Sequence, residues 1–569
     1  MKSDFKWQLL PPSPDAWILA QELNLPHEIA TILVNRGIKT ASEAVFYLYG
    51  GINELHDPFL MKGMKEAVRR ILEAVKKGEK ILVFGDYDVD GILSVVMLVK
   101  ALRTIGAKVD YLIPERMKDG YGLKVHHLPA VVERQTNLVI SVDCGIKAFD
   151  FVRRAKEYGI DVIITDHHHP GDGLPEAVAV LDPVLESSGY PDRNLAGVGV
   201  AFKLIQALFL ELGIKQDLTH YLKLVSIGTV ADVAELKGEN RVLVKEGLKK
   251  LKEPKNPALK SLLQGAGLYE RKLTEVDLGF RLGPRINAAG RLGMTEVAIK
   301  LFFSESREEC EELVRKLNEL NYTRQKIEEK ILREAVEKVE SRKLYQKYRL
   351  LVLGSENWHR GVIGIVASRL KELFYRPVIL FAYENGQAHG SGRSVPELSL
   401  IDLVSECGPL MQNFGGHKQA IGCSLKMENL PLFKEKINEL AARWITDELL
   451  ERKLTIDSRL NFSAITPSFV EFYSYLLPFG TGNPRPVFLA EEVDVLGQPT
   501  ILQNRHLKVW LRQGGRVFEA IGWGKARNWK EINRGLSFDI AYSLQVSEYR
   551  DKKQINLILE DIRPRKFMG

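Results

Sequence analysis

The sequence predicts a multidomain α/β protein with a parallel-sheet domain, a long connecting helix, a smaller α/β domain and a C-terminal β-barrel. Three observations predict it. From about residue 65, short apolar segments alternate with helical patterns, the signature of βαβ units and a parallel sheet. Residues 304–342 are polar, helically periodic and free of Pro and Gly. From about residue 487, short β-type segments follow one another, which suits a small barrel of OB type. The 569 residues are enough for three or four domains of ~100–200 residues each.

The elements follow in order. Residues 1–60 read as a small helical or irregular lead-in. The amphipathic helix KEAVRRILEAVKKG leads into strand ILVFG at 81–85, and a helix follows at about 91–106. Strand VDYLIP, the turn KDGYG, a helix near 125–134, strand NLVISVD, a helix near 147–158 and strand DVIITD complete the alternation. In the connecting helix, Leu313, Leu317, Leu320, Ile327 and Ile331 recur at helical spacing. A second α/β unit starts near 349 with YRLLVLG, GVIGIVASRLKELF and PVILFAY. The expected divisions are 1–60, 61–303, 304–345, 346–451 and 452–569.

Composition excludes several classes. Hydrophobic residues are 45% and charged residues 27%, a globular balance and not that of a disordered or collagenous chain. Cys144, Cys310, Cys407 and Cys423 lie far apart without a C-x-x-C pair. That argues against a zinc ribbon or a disulfide framework and for a reducing compartment. No apolar run approaches ~18 residues, so no membrane span is expected. The opening MKSDFKWQLLPPSPD has no apolar core, so a signal peptide is not expected either, and the reading is a cytoplasmic protein. The net charge of +7 is concentrated: residues 501–569 hold 14 Lys and Arg against 7 Asp and Glu, and the remainder balances at 66 each. A local basic excess is the footprint of a polyanion binder; on charge alone, a solvated surface with chance bias serves equally.

Chemistry concentrates where strands end. G-D-Y-D-V-D-G at 85–91 places Asp86, Asp88 and Asp90 within five residues, directly after strand ILVF. An EF-hand loop begins alike, but it needs a bidentate Glu at its twelfth position, which here is Met97, and a helix before it rather than a strand. Three carboxylates on one turn repel one another unless a cation joins them, which is more than an acidic helix start requires. T-D-H-H-H-P at 165–170 closes another apolar strand and sets adjacent imidazoles beside Asp166. A lone His is usually structural; a His pair with Asp after a buried strand suits metal ligation or transition-state hydrogen bonding. Asp143 ends VISVD, and Asp232 lies in SIGTVADVAEL. Each alone is weak, since turns favour Asp. Together the four segments can converge carboxylates and imidazoles at one sheet edge, a donor set suited to Mn²⁺ or Mg²⁺, and so many carboxylates suggest two ions.

These motifs together resemble the DHH phosphoesterase superfamily, and most closely its bacterial branch of single-strand-specific 5′→3′ DNA exonucleases, from about residue 60 to the end. The resemblance implies that Asp88 and Asp90 ligate metal, that Asp86 ligates or orients, and that Asp143 bridges two ions. It implies His167 as a metal ligand, His168 near the scissile phosphate or a metal, and Asp232 completing the set. Asp166 is expected to orient a histidine from behind, and the extra imidazole of His169 to be surface or structural. The cofactors implied are two divalent cations, Mn²⁺ preferred and Mg²⁺ possible. Partners implied are single-stranded DNA, a single-strand-binding protein and a RecQ-type helicase. No membrane partner is expected, and four domains with their own cores suggest a monomer.

The second lobe resembles the DHHA1 domain through NWHRGVIGIVASRL, GSGRSV and FGGHKQAIG. His359 and Arg360 precede a helix N-terminus, and Ser391, Arg393, Gly415, Gly416 and His417 sit on glycine-rich turns that allow a backbone to approach phosphate. A tight turn alone also accounts for such glycines. GPRINAAGR at 283–291 reads as a loop offering Arg285, Asn287 and Arg291 to the DNA backbone, with Arg116 a further candidate. In the barrel, Arg505, Lys508 and Arg512 are expected at phosphates. Trp510, Phe518, Trp523, Trp529 and Tyr549 are divided between stacking and core. Two rival readings remain: a superfamily phosphodiesterase for a small substrate (pyrophosphate, a cyclic dinucleotide or a short oligonucleotide), and a non-enzymatic scaffold, which the intact ligand set opposes.

Overall fold

The computed structural model describes residues 5–215, 217–252, 254–526, 537–549 and 552–565. The chain forms two compact units. One holds residues 56–235 and 239–450; the other holds 1–55, 236–238 and 451–569.

The larger unit begins with a five-stranded parallel sheet. Its strands are β1 (Lys80–Gly85), β2 (Lys108–Leu112), β3 (Leu138–Val142), β4 (Asp161–Thr165) and β5 (Ala179–Leu181), in the order β2-β1-β3-β4-β5. Helices cover both faces, so the central strands read as continuous apolar runs and β3 is buried throughout. Helix α1 (Val89–Thr104) leaves β1 for β2, while β3 lies on the other side of β1. Ligands of such sheets bind at the carboxyl ends beside this reversal. Gly85, Val142 and Thr165 pair in one row across β1, β3 and β4. The next residues of the three strands are Asp86, Asp143 and Asp166, so sheet register alone brings three motifs to one edge.

Further helices complete this region: α2 (Gly197–Glu211), α3 (Leu222–Ala231), α4 (Gly283–Arg291) and the long α5 (Arg307–Ser341). The segment GPRINAAGR is therefore a helix, not a loop. Its Pro occupies the first turn, where no backbone donor is needed, and Gly290 lets the helix lie close to the Tyr87 carbonyl. Helix α5 is capped by Ser306 and buries a seam through Cys310, Val314, Leu317, Asn321, Arg324, Glu328, Ile331, Ala335 and Val339. Of the predicted stripe only Leu317 and Ile331 belong to it. The middle of the seam is polar because Arg324 donates to Glu328 and, at 2.6 Å, to Asn321, and such a self-satisfied group is invisible to hydrophobic periodicity.

A mixed sheet follows. It contains β6 (Leu351–Ser355), β7 (Val378–Glu384), β8 (Gln387–Arg393), β9 (Asn413–His417) and β10 (Ala420–Lys426), in the order β9-β10-β8-β7-β6, with α6 (Ile363–Phe374) packed on it. Ser391 and Arg393 thus lie in a strand, not a turn, and so do Gly415, Gly416 and His417. A Cβ at Gly390 would stand 2.5 Å from Cys423 Sγ, and one at Gly392 would stand 2.6 Å from Ile421 Cγ1. These two glycines serve packing. Gly415 meets nothing within 4 Å and Gly416 has φ +138°, so only the latter requires glycine for its backbone.

The smaller unit is built on a closed five-stranded barrel. β11 (Phe488–Leu502), β12 (His506–Gln513), β13 (Arg516–Gly522), β14 (Ser537–Tyr549) and β15 (Lys552–Pro564) pair as β11-β12-β13-β15-β14, and β14 returns to β11. Three strands run to 13–15 residues. Register shifts in β11 near Ala490 and Leu496 let one strand bend around the barrel. The N-terminal segment belongs to this unit. Lys6–Leu9 pairs in parallel with Lys453–Ile456, and helices from the first 50 residues share a core with Phe488 and Tyr542. Trp529 and the side chain of Tyr549 lie outside the described residues. Among the described residues no helix is long and apolar enough to cross a membrane.

Candidate metal centre

The first motif follows β1 directly. Asp88 caps α1, its Oδ1 accepting the Gly91 N–H at 3.1 Å. Gly91 is required here because a Cβ would stand 2.5 Å from the Asp86 carbonyl oxygen. Asp90, one residue into the helix, accepts the Gly197 and Val198 N–H groups, each at 2.8 Å. These are the first residues of α2, so one helix N-terminus clamps the carboxylate carried by another. Behind it, the fully buried Lys203 and Glu239 pair at 2.7 Å and fix α2 in place.

The other motifs meet the first. Asp143 holds a left-handed backbone (φ +58°), a conformation Asp tolerates, and its Oδ1 lies 3.1 Å from His167 Nε2. The same nitrogen lies 3.9 Å from Asp90 Oδ2 and 3.9 Å from Asp232 Oδ2. Asp232 arrives from the end of helix α3, not from a strand. Asp166 is wholly buried: its Oδ2 accepts the Ile146 N–H and its Oδ1 contacts His168 Nδ1 at 2.7 Å. Donor atoms of Asp86, Asp88 and Asp143, of Asp90, His167 and Asp232, and of Asp143, His167 and His168 form three overlapping groups, each within 4.8 Å.

Electrostatics show what kind of ligand the cluster suits. Burial, followed by repulsion from neighbouring carboxylates, raises the carboxyl pKa of Asp86, Asp143 and Asp232 well above the usual range. The same causes raise Asp90 to about 7. Burial, then His168, pushes His167 down to about 3, leaving its imidazole neutral with a lone pair free for a metal. His168 is raised: burial opposes its charge most strongly, but the Asp166 hydrogen bond and the charges of Asp166, Asp86 and Asp88 together outweigh it. Asp86 Oδ1 is buried with no hydrogen-bond partner. Crowded carboxylates, an orphaned oxygen and a neutral imidazole are the donor chemistry that divalent cations satisfy.

Several expected phosphate ligands gather beside this cluster. Arg291 is depressed to about 9 by burial and by the neighbouring Arg116 and Arg393, with Asp88 opposing. Three arginines therefore stand together, and Arg116 lies 5.0 Å over the Tyr87 ring. Ser391 Oγ accepts from Arg393 at 3.2 Å. His417 stacks on His168 with ring centroids 6.3 Å apart and lies 6.0 Å from the exposed His169. The remaining candidates are turned elsewhere. Arg285 donates to Asn318 and to the Arg281 carbonyl, fixing α4 to α5. Asn287 accepts the Val89 N–H at the start of α1. His359 Nδ1 accepts the Gly361 N–H, and Arg360 donates to the Met117 carbonyl. On the barrel, Arg505 is exposed, while Lys508 pairs with Glu519 at 2.7 Å and Arg512 with Asp494 at 3.0 Å. Trp510 and Trp523 are exposed and Phe518 is core.

Residues 80–229 match the DHH family, N-terminal domain; residues 346–443 match the DHHA1 domain; residues 456–561 match the RecJ OB domain. The single-stranded-DNA-specific exonuclease RecJ of Bacillus subtilis is 37% identical over 99% of this chain and 71% of its own length. The chain belongs to the RecJ family. The Escherichia coli RecJ is 35% identical over 95% of this chain and 96% of its own. The crystal structure of Thermus thermophilus RecJ with Mn²⁺ superposes at TM-score 0.84 and 31% identity, covering 99% of this chain and 80% of that one. A Mg²⁺ complex of that RecJ superposes at TM-score 0.77 and 29% identity, covering 99% and 79%. The match of the RecJ OB domain favours the RecJ reading over a small-substrate phosphodiesterase, and the α/β architecture with a C-terminal barrel agrees with the expected fold.

Three contributors escaped sequence reading. Tyr121, read only as part of a turn, brings its hydroxyl 3.0 Å from His168 Nδ1. Gly197 and Val198 act through backbone donors, which no side-chain motif reveals. A Cβ at Gly197 would stand 2.8 Å from both Cβ and Oδ1 of Asp143. Gly197→Ala therefore displaces that carboxylate. We expect the Mn²⁺ concentration for half-maximal activity to rise about 10- to 100-fold, at a stability cost of ~1–3 kcal/mol. A Mn²⁺ titration with thermal melts checks this, and an unchanged titration would refute it.

Proposed function

We propose that the chain is a metal-dependent exonuclease that hydrolyses single-stranded DNA from its 5′ end and releases 5′-mononucleotides, serving recombination and repair. The observation that carries this reading is the convergence of carboxylates and imidazoles from four segments in one buried cluster beside three arginines. Asp86, Asp88, Asp90, Asp143, His167, His168 and Asp232 would hold two divalent cations, Mn²⁺ in preference and Mg²⁺ as alternative. Cations there lower the pKa of an attacking water and neutralise charge on the leaving 3′ oxygen.

The chain's residues supply the rest. The Gly197 and Val198 donors hold Asp90 rigid, so its carboxylate keeps one orientation. Asp166 holds the His168 ring through Nδ1, which leaves Nε2 to face the scissile phosphate. Arg291, near 9, stays charged at neutral pH and, with Arg116 and Arg393, offers guanidinium forks to backbone phosphates. Ser391 and His417 add hydrogen bonds from the second lobe. Arg285, Asn287, His359 and Arg360 act in this reading by fixing α1, α4, α5 and the second lobe. Lys508, Trp510 and Arg512 alternate along one face of β12, where strand phosphates would compete with Glu519 and Asp494 for the two cations and the ring offers a stacking surface. Four buried free thiols agree with a cytoplasmic enzyme. We assign it as a monomer that works beside a single-strand-binding protein and a RecQ-type helicase, on family resemblance. The domain divisions drawn from the sequence are part of the same assignment.

The test is an end-label assay with Mn²⁺, using EDTA and duplex controls. A 5′ label is expected to appear at once as mononucleotide while 3′-labelled strand shortens gradually and duplex is spared. Hydrolysis of a dinucleotide or pyrophosphate with long DNA untouched would overturn the substrate assignment.

A further inference from the structure

Val233 and Phe280 are the two most exposed large apolar side chains among the described residues, at 65% and 79%. They come from abutting turns. Helix α3 ends at Ala231 and is closed by Val233 N–H to Val230 O and Ala234 N–H to Thr229 O, a helix stop that normally places glycine at position 233. Val233 instead holds φ +65°, and it is the one β-branched residue among the described non-glycine residues with positive φ. Such a backbone is strained for valine, and an exposed side chain gains little packing in return. Phe280 lies in the π-helical stretch Leu278–Leu282, a geometry frequent at functional sites. That stretch packs on the last turn of α3. A Cβ at Gly279 would stand 3.4 Å from Val230 Cγ1, and one at Gly283 would stand 3.2 Å from Ala231 Cβ.

The residue before Val233 is Asp232, whose carboxylate lies 3.9 Å from His167. The apolar pair thus stands on the turn that carries one member of the metal cluster. We propose that Val233 and Phe280 form an apolar ledge on which bases of the single-stranded substrate rest while its phosphates lie at the metal cluster. The inference rests on the exonuclease reading above. Unstacked bases offer apolar faces that every sequence shares, so the ledge would bind strand without selecting sequence. The strain at Val233 then has a use: glycine would close the helix more easily but would remove the wall.

Full-length Phe280→Ala, Phe280→Trp and Val233→Gly are compared with wild type on a single-stranded oligonucleotide with Mn²⁺. Phe280→Ala is expected to raise KM about tenfold, at the lower end of base–ring stacking, with a much smaller change in kcat, and Phe280→Trp is expected to restore KM. Val233→Gly is expected to raise KM while increasing the melting temperature by about 1–2 °C, opposite signs that simple damage to the fold would not give. Wild-type protein that fails to cut single strands would sink the exonuclease reading itself. Wild type that cuts, with KM unchanged in folded Phe280→Ala, overturns the ledge alone. So does a Phe280→Ala effect confined to oligomeric state, which would mark the patch as a contact between copies.

Discussion

Asp143→Asn in the full chain is expected to lower Mn²⁺-dependent hydrolysis of single-stranded DNA by about 10³-fold or more. Asp143 lies where two of the three donor groups overlap, so its loss disables both together. Asn keeps the side-chain shape and tolerates the left-handed backbone at φ +58°, so the fold has no reason to fail. The metal-free protein should in fact melt higher. Asp143 is a buried carboxyl crowded by Asp90, Asp88, Asp86 and Asp232, and a neutral amide removes that repulsion. Steady-state hydrolysis and thermal melts in EDTA check the two halves. A variant that hydrolyses DNA at the wild-type rate would dismiss the metal-centre assignment, whatever its melting temperature.

Chelation is expected to abolish hydrolysis and to leave a protein whose stability falls as pH rises. Burial and carboxylate crowding raise Asp90 to about 7 and carry Asp86, Asp143 and Asp232 in the same direction. A carboxyl whose folded pKa exceeds its unfolded value binds more protons in the folded state. Its stabilisation is complete below about pH 4, the unfolded value, and is lost as pH rises through about 7. Asp166 is shifted the opposite way: burial would raise it, but the His168 hydrogen bond, the two neighbouring imidazoles and the Ile146 N–H together outweigh burial, so its contribution is lost only in stronger acid. Calorimetry in EDTA should give a lower melting temperature at about pH 8 than at about pH 5, and Mn²⁺ should raise it more at the higher pH. A metal-free protein that gains stability across that interval would contradict the electrostatic account of the cluster.

Much of the catalytic region was legible because its signals are local. Strands β1, β3 and β4 are buried on both faces and read as unbroken apolar runs. Each ends in an acidic residue at a turn, so Asp86, Asp143 and Asp166 could be found without knowing that one register row aligns them. The connecting helix was legible by its freedom from Pro and Gly, but its buried face was not. Arg324, Glu328 and Asn321 occupy the seam by satisfying one another, and a hydrophobic count cannot register that. GPRINAAGR was misread as a loop and GSGRSV as a turn for a related reason. Their glycines answer close packing against Tyr87, Cys423 and Ile421 rather than a change of chain direction. That demand exists only once distant segments meet.

By itself the sequence determined the βαβ alternation, the identity of the carboxylate and imidazole donors, and the family to which their motifs point. Each of these depends on residues within a few positions of one another. Tertiary structure alone decided which of the arginines stand at the cluster and which fix helices, and that the N-terminal 55 residues share a unit with the barrel. It also decided that two backbone donors of α2 hold Asp90 and that a strained valine stands exposed beside Asp232. These depend on separations of a hundred residues or more, or on backbone groups that every residue carries. Local pattern cannot encode them, because the partner that gives each its role is supplied only by the folded chain.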